Sequence, residues 1–174
     1  MIQQGSIEEG PEDVFQGAYI GPKDMELAQR LIKAGPEHRK FMRQIFVSVD
    51  ITAPLYWWKE MDTYKVSTVS NSTSTMHKLA STPITLDCFE TDDFNKEIML
   101  YQRDNQEYPM EAVFIEFLEV LRRKYLETND KRYWKELVRW LPESWLQTRT
   151  WTANYETILS IVHQRRGHKL SEWK

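Results

Sequence analysis

The chain has 174 residues, of which 41% are hydrophobic and 28% charged, with 23 basic side chains against 26 acidic ones. That much apolar surface offsets chain entropy and excludes a disordered polymer, while a net charge of −3 provides no field for gathering nucleic acid non-specifically. No apolar run of about 18 residues occurs, which excludes a membrane-spanning helix.

The opening Met1-Ile2-Gln3-Gln4-Gly5 lacks the basic and apolar regions of a secretion signal. Cys88 is the single cysteine, so neither an intrachain disulfide nor a cysteine-based metal cluster can form; a reducing cytoplasm is the expected compartment. Seven Trp residues stand out, since small domains place indoles in cores, at interfaces and where planar ligands stack.

In chain order, residues 1–22 read as an N-terminal arm, irregular up to residue 20, and 23–174 as a single domain. Met25, Ala28, Leu31 and Ile32 recur at helical spacing over 23–34, with Gly21-Pro22 before and Gly35-Pro36 after as punctuation. A short helix is expected over 36–44. Ile45, Val47, Val49 and Ile51 alternate with Ser48, Asp50 and Thr52, predicting a half-buried strand over 45–52. Ala53-Pro54 closes it, and 55–61 reads as a helix carrying Tyr56, Trp57 and Trp58. Residues 66–75, Val-Ser-Thr-Val-Ser-Asn-Ser-Thr-Ser-Thr, are dense in small hydroxyls, a composition of flexible loops and also of loops that hold phosphate oxygens. Helices are predicted over 92–103, 109–126 and 130–141. In the middle one Met110, Val113, Phe114, Phe117, Leu118, Leu121 and Tyr125 form an apolar stripe that reads as core packing. A short strand over 148–152 and a last helix over 155–166, capped by Asn154 and ended by Gly167, complete the chain.

On that last helix Ile158 and Val162 mark the expected inward face, with Asn154 and Arg165 in register with it. Eleven residues along a helix span about 16 Å and bring a cap amide and a guanidinium to nearly the same side. Such a pair suits the two ends of a large planar ligand, or is simply a cap and a snorkelling surface arginine. Cys88, in Asp87-Cys88-Phe89, has no basic residue beside it and reads as an inert thiol. His163 and His168 make no metal pattern, and no metal site is expected.

Leu141-Pro142, then Thr150-Trp151-Thr152-Ala153-Asn154, Gln164-Arg165-Arg166-Gly167-His168 and Glu172-Trp173 together resemble the C-terminal half of flavin-dependent thymidylate synthases, and Glu37-His38 resembles the family's Glu-His pair. The resemblance touches about residues 24–78 and 136–174. It departs at the family's signature, where Arg-His-Arg is followed by seven residues and a Ser, with an Asn-Glu pair between. Here Thr63-Tyr64-Lys65 stands in that place and Ser74 follows after eight residues. Asn71 keeps the Asn position, Ser72 replaces the Glu, and Met76 replaces a phosphate-binding Arg. In the last helix Glu156 and Ser160 replace an Arg and an Asn. Neither Thr nor Met offers the planar fork of an arginine, so Lys59, Lys65 and Lys78 around the hydroxyl-rich segment are the candidate substitutes.

The resemblance implies an α+β fold, with an antiparallel sheet packed against helices. It implies reductive methylation of dUMP to dTMP with FAD as cofactor, and methylenetetrahydrofolate and NADPH as co-substrates. Arg165 is then the catalytic residue, stabilising charge on the uracil carbonyl and binding substrate with Ser74 and Arg139. His38, Lys65, Ser67, Asn71, Asn154 and His168 fall at the cofactor site. The family implies a homotetramer with shared sites and a small-molecule nucleotide partner, with no membrane. A homologue of the same fold that binds flavin or nucleotide without turnover is the alternative. A third reading is a nucleic-acid module using the basic stretch His163-Gln164-Arg165-Arg166-Gly167-His168-Lys169, which the overall negative charge opposes.

Overall fold

The computed structural model describes residues 2–9, 13–73, 78–92 and 94–173. Its centre is a strand whose alternate side chains have opposite fates. Arg149, Trp151 and Ala153 face helices, while Thr148, Thr150 and Thr152 face out, as a period of two requires. Elements run in the order β1 (Ile2–Glu9), β2 (Asp13–Ile20), α1 (Pro22–Ala34), a 3-10 turn (Lys40–Gln44), β3 (Phe46–Pro54), α2 (Leu55–Met61), β4 (Thr68–Ser72), a 3-10 turn (Leu86–Cys88), β5 (Leu100–Arg103), β6 (Gln106–Pro109), α3 (Met110–Thr128), α4 (Lys131–Arg139), β7 (Leu146–Asn154), α5 (Tyr155–Arg165) and a last 3-10 turn (Ser171–Trp173).

β7 is the middle of a three-stranded antiparallel sheet ordered β3-β7-β4. Phe46 pairs with Asn154 and Pro54 with Leu146 on one side; Thr68 pairs with Ala153 and Ser72 with Arg149 on the other. α2 and α5 cover one face. There Ala53, Trp57, Trp58, Met61, Trp151 and Ala153 form a cluster, with Trp58 wholly buried and its indole N–H donating to the Gln147 carbonyl at 2.9 Å. α3 and α4 pack on the segment 79–89 around a second cluster of Leu79, Ile84, Phe89, Leu118 and Leu137. A β-bridge between Phe89 and Trp145, whose rings meet edge-to-face at 5.5 Å, ties the segment 79–89 to the turn into β7. This is an α+β architecture with an antiparallel sheet packed against helices, and among the described residues no helix is long and apolar enough to cross a membrane.

Several expectations are corrected. Residues 2–9 and 13–20 pair as antiparallel strands, Ile2 opposite Ile20, rather than forming an irregular arm. Only Lys40–Gln44 of the expected 36–44 helix is helical, because Gly35 leaves α1 at φ +116° and the chain turns first. The helix expected over 92–103 is absent. Residues 100–109 make the β5–β6 hairpin, closed by Asp104 and Asn105 at φ +52° and +60°, the left-handed pair of a tight hairpin turn. The α3 stripe divides: Phe114, Leu118 and Leu121 pack inward, but Met110, Val113 and Phe117 are 43, 37 and 41% exposed. On α5 the inward residues are Ile158 and Ile161, and Val162 is exposed.

Candidate functional site around Arg165 and Tyr64

Arg165 ends α5 against α2, because Ile158 and Ile161 seat that helix on the tryptophan cluster. Its Nε donates to the Tyr64 hydroxyl at 2.7 Å, and its Nη2 contacts the Glu60 carboxylate. The guanidinium carbon lies 4.5 Å from the centre of the Trp173 ring and 5.4 Å from that of Tyr64. Burial works against the charge, but the hydrogen bonds to Glu60 and Tyr64 outweigh it and hold the guanidinium above its ordinary pKa. Arg165 and Trp173 border an open hollow of about 360 Å³.

Tyr64 also lines a second hollow, of about 300 Å³, between the segment 63–66 and the start of α5. Lys65, Glu156 and Ser160 line it too. The Thr157 hydroxyl donates to the Val66 carbonyl at 2.9 Å, so the segment leading into β4 does fold against the terminal helix. Glu156, which stands where the resembled family has an arginine, is taken up by Arg39 in a two-pronged pair at 2.9 and 3.0 Å. Lys65 has no ion pair among the described residues and is exposed.

The remaining expected residues are scattered. Asn154 is 4% exposed and committed to structure: its Oδ1 accepts the Thr157 N–H at 2.9 Å and its Nδ2 donates to the Arg43 carbonyl at 3.4 Å. It is the helix cap, and its amide does not project beside the Arg165 guanidinium. His168 is half-buried, its Nδ1 accepting the Leu170 N–H at 3.2 Å and its ring 5.9 Å from Trp173. His38 is exposed on the turn before Arg39, and Ser67 is exposed at φ +57° beside Lys65. Asn71 pairs with Thr150 and so faces the outer side of the sheet, away from α5. Arg139 ends α4 in the helical layer, paired with Glu136. Lys59 is held by Glu143 at 2.5 Å. Ser74 and Met76 lie outside the described residues. The structure thus gathers Arg165, His168 and Lys65 around Tyr64 and Trp173, and leaves Asn71 and Arg139 elsewhere.

Sequence reasoning missed Tyr64, Glu60, Trp173 and Arg39 as members of this region. Tyr64 carried a signal, since it stands inside the altered triad. Glu60 and Arg39 carried none, because their partners are 105 and 117 residues away.

The donor set can be tested against a flavin dinucleotide. A free ammonium at Lys65, a guanidinium at Arg165 and the ring faces of Tyr64 and Trp173 match a group with anionic phosphates and a flat apolar ring system. The residues around Tyr64 fit that group; Asn71, on the opposite face of the sheet, does not share their hollow.

No family model matches the chain, and no curated protein matches it. Among solved structures, the chain is similar to the flavin-dependent thymidylate synthase ThyX from Helicobacter pylori complexed with FAD and dUMP, with a TM-score of 0.61 and 19% identity over 88% of this chain and 73% of that one. A second structure of the same Helicobacter pylori enzyme with FAD and dUMP gives a TM-score of 0.61 and 20% identity over the same shares. The chain therefore has the fold of the flavin-dependent thymidylate synthases.

Proposed function

We propose that this chain is a flavin-dependent thymidylate synthase-like protein that binds FAD and dUMP and methylates dUMP reductively. Methylenetetrahydrofolate would be the carbon donor and NADPH the reductant, in a cytoplasmic homotetramer. The observation that carries the reading is the caged Arg165: a guanidinium fixed by Glu60 and Tyr64 over the Trp173 ring, beside an open hollow, in a fold shared with enzymes crystallised with FAD and dUMP.

Bound flavin supplies the hydride. Arg165 places a fixed positive charge where a uracil carbonyl gains electron density, a contribution that grows from ground state to transition state. Lys65, with Ser67 beside it, neutralises phosphate, while His38 and His168 border the cofactor. Asn154 acts as a positioning residue by starting the helix that delivers Arg165. Ser74 completes nucleotide binding in this reading, with Arg139, which lies apart within the chain, reaching a site shared across the proposed tetramer.

The test is reconstitution. The purified chain incubated with FAD should retain flavin absorbance after gel filtration, and should form dTMP when given dUMP, methylenetetrahydrofolate and NADPH. Arg165→Lys should lower turnover by about 10²–10³, the cost of losing one charge-stabilising donor. A chain that takes up no flavin overturns the proposal.

A second reading, binding without turnover, is favoured by one specific observation. Glu60 already occupies the Arg165 guanidinium, while no arginine stands at 63, 65 or 76. A dUMP-dependent rise in melting temperature with no dTMP formed selects it.

A further inference from the structure

We propose that the cavity beneath the first turn of α3, in the helical layer, binds a small organic cation with an apolar body, an arylalkylammonium or arylamidinium. The hollow measures about 270 Å³ and is bounded by α3, the 86–94 segment and the turn into β7. Phe89, Phe94, Phe114 and Met110 contribute its apolar walls.

One polar group in that wall is unanswered. Glu111 lines the hollow; its Oε2 is closed to water and no described residue donates to it. A cation in the hollow meets this carboxylate through a turn of the group that exposes the oxygen. A carboxylate oxygen shut from water without a partner is costly, so the pattern elsewhere in the chain is informative. Glu119 receives Arg122 and Glu156 receives Arg39; Glu172 takes the Tyr56 hydroxyl on Oε1, while its Oε2, like that of Glu111, is buried without a donor among the described residues. Glu111 has no such internal donor among the described residues, which leaves the donor to come from outside.

Charge and shape then choose the class. A second carboxylate, Glu90, lines the cavity; its Oε1 takes the Asp92 N–H at 2.7 Å, its Oε2 lies 3.3 Å from the Tyr56 hydroxyl whose proton goes to Glu172, and no cation among the described residues is paired with it. Among the described residues no Lys, Arg or His lines the cavity, so anions are repelled and a cation is drawn in. The three phenylalanine rings add their negative faces, which attract ammonium and amidinium groups. A cavity of about 150 Å³ holds benzene, so this one has room for a ring and a short charged arm.

The experiment titrates the full chain, labelled at its methionine methyls, with phenethylamine and with benzamidine, using 2-phenylethanol and phenylacetate as neutral and anionic matches. Met99 and Met110 line the cavity, whereas Met42 and Met61 are buried elsewhere and act as internal controls. Ligands of about nine heavy atoms at ordinary efficiency bind in the millimolar range. Both cations should give saturable shifts at Met99 and Met110 alone, at least about tenfold tighter than the alcohol, with no binding of phenylacetate. Glu111→Gln, which keeps the side chain's shape, should cut that preference several-fold while the alcohol's affinity is unchanged, with Glu90 and the rings supplying what is left. Equal binding of amine and alcohol, a preference that Glu111→Gln leaves unchanged, or no saturable shift for either cation overturns the proposal. The comparison of amine with alcohol uses the native chain and stands even if the variant folds poorly.

Discussion

The guanidinium carbon of Arg165 sits 4.5 Å from the centre of the Trp173 ring, and that ring stacks on Trp57 at 4.6 Å. One indole therefore connects a charged group to the tryptophan cluster under the sheet. Trp173→Leu is expected to lower stability by about 2 kcal/mol, less than the loss of a fully buried indole. A double-mutant cycle with Arg165→Ala should return a coupling of about 1 kcal/mol in urea unfolding. A coupling near zero would mean that the ring and the guanidinium are neighbours without energetic consequence.

Glu60 competes with any anionic ligand for Arg165. Glu60→Gln keeps the shape of the side chain and removes its charge, so the affinity for dUMP, read by isothermal calorimetry, should rise several-fold. Unchanged or weakened binding would show that Glu60 positions the arginine instead of blocking it.

Tyr56 predicts an alkaline transition. Burial first, and then hydrogen bonding to Glu172 with the nearby charge of Glu90, push its phenol far above the ordinary value near 10. A raised folded pKa favours the protonated form in the native state. The stability it contributes is complete below about pH 10 and declines as pH rises past the unfolded value. Tyr56→Phe should flatten the fall of stability above pH 10 in urea titrations at graded pH, and the native chain's phenolate absorbance should titrate one tyrosine late.

Glu119 predicts the acid limb. Burial would raise its pKa, but the Arg122 bond at 2.6 Å, the Ile84 N–H at 2.5 Å and the charges of Arg122 and Arg123 together hold it below the ordinary carboxylate range. A lowered folded pKa gives stability that is present above about pH 4.3 and lost as pH falls through the folded value. Arg122 is 9% exposed and also donates to the Ala80 carbonyl at 3.2 Å. Arg122→Met should cost about 3–5 kcal/mol at neutral pH by leaving Glu119 buried without its cation, and should weaken the acid dependence. Denaturant midpoints between pH 3 and 7 measure both effects.

Asn154 separates structure from ligand binding. Asn154→Ala removes the α5 cap and should cost about 1–2 kcal/mol, while Asn154→Ser, which can still cap, should recover most of it. If flavin uptake by the Ser variant stays at the native level, the residue serves through the helix it starts.

Much of this fold was legible from local pattern. The strand read from the Val47–Ile51 alternation, the Leu55–Met61 helix between Pro54 and Asp62, and the Asn154 cap all rest on neighbours in sequence, and each is present, although Val49 on the expected inward face is 40% exposed. The 92–103 segment misled because its apolar residues follow helical spacing, and the two left-handed residues that close β5 onto β6 are Asp-Asn, without the glycine that usually marks such turns. The α3 stripe misled differently: periodicity reports which residues share a face, and only the tertiary partner decides how much of that face is covered. At the candidate site, Arg165 was visible through its resemblance, but the groups that hold it come from α2, the segment just after it and the last 3-10 turn. Parity within β4 settled Asn71, and parity is meaningful only once the pairing with β7 is known.

The outer face of the sheet carries a row of short side chains bonded to one another across strands: Ser48 with Thr152 at 2.6 Å, Thr52 with Thr148 at 2.7 Å, and Thr150 with Asp50 at 2.6 Å. A surface laced in this way is polar yet already satisfied. A phosphate approaching it meets acceptors and donors engaged with each other, and must open those links before gaining its own. Hydroxyl abundance in a sequence and hydroxyl availability to a visitor are therefore separate quantities, and in this molecule the weave of the sheet keeps them apart.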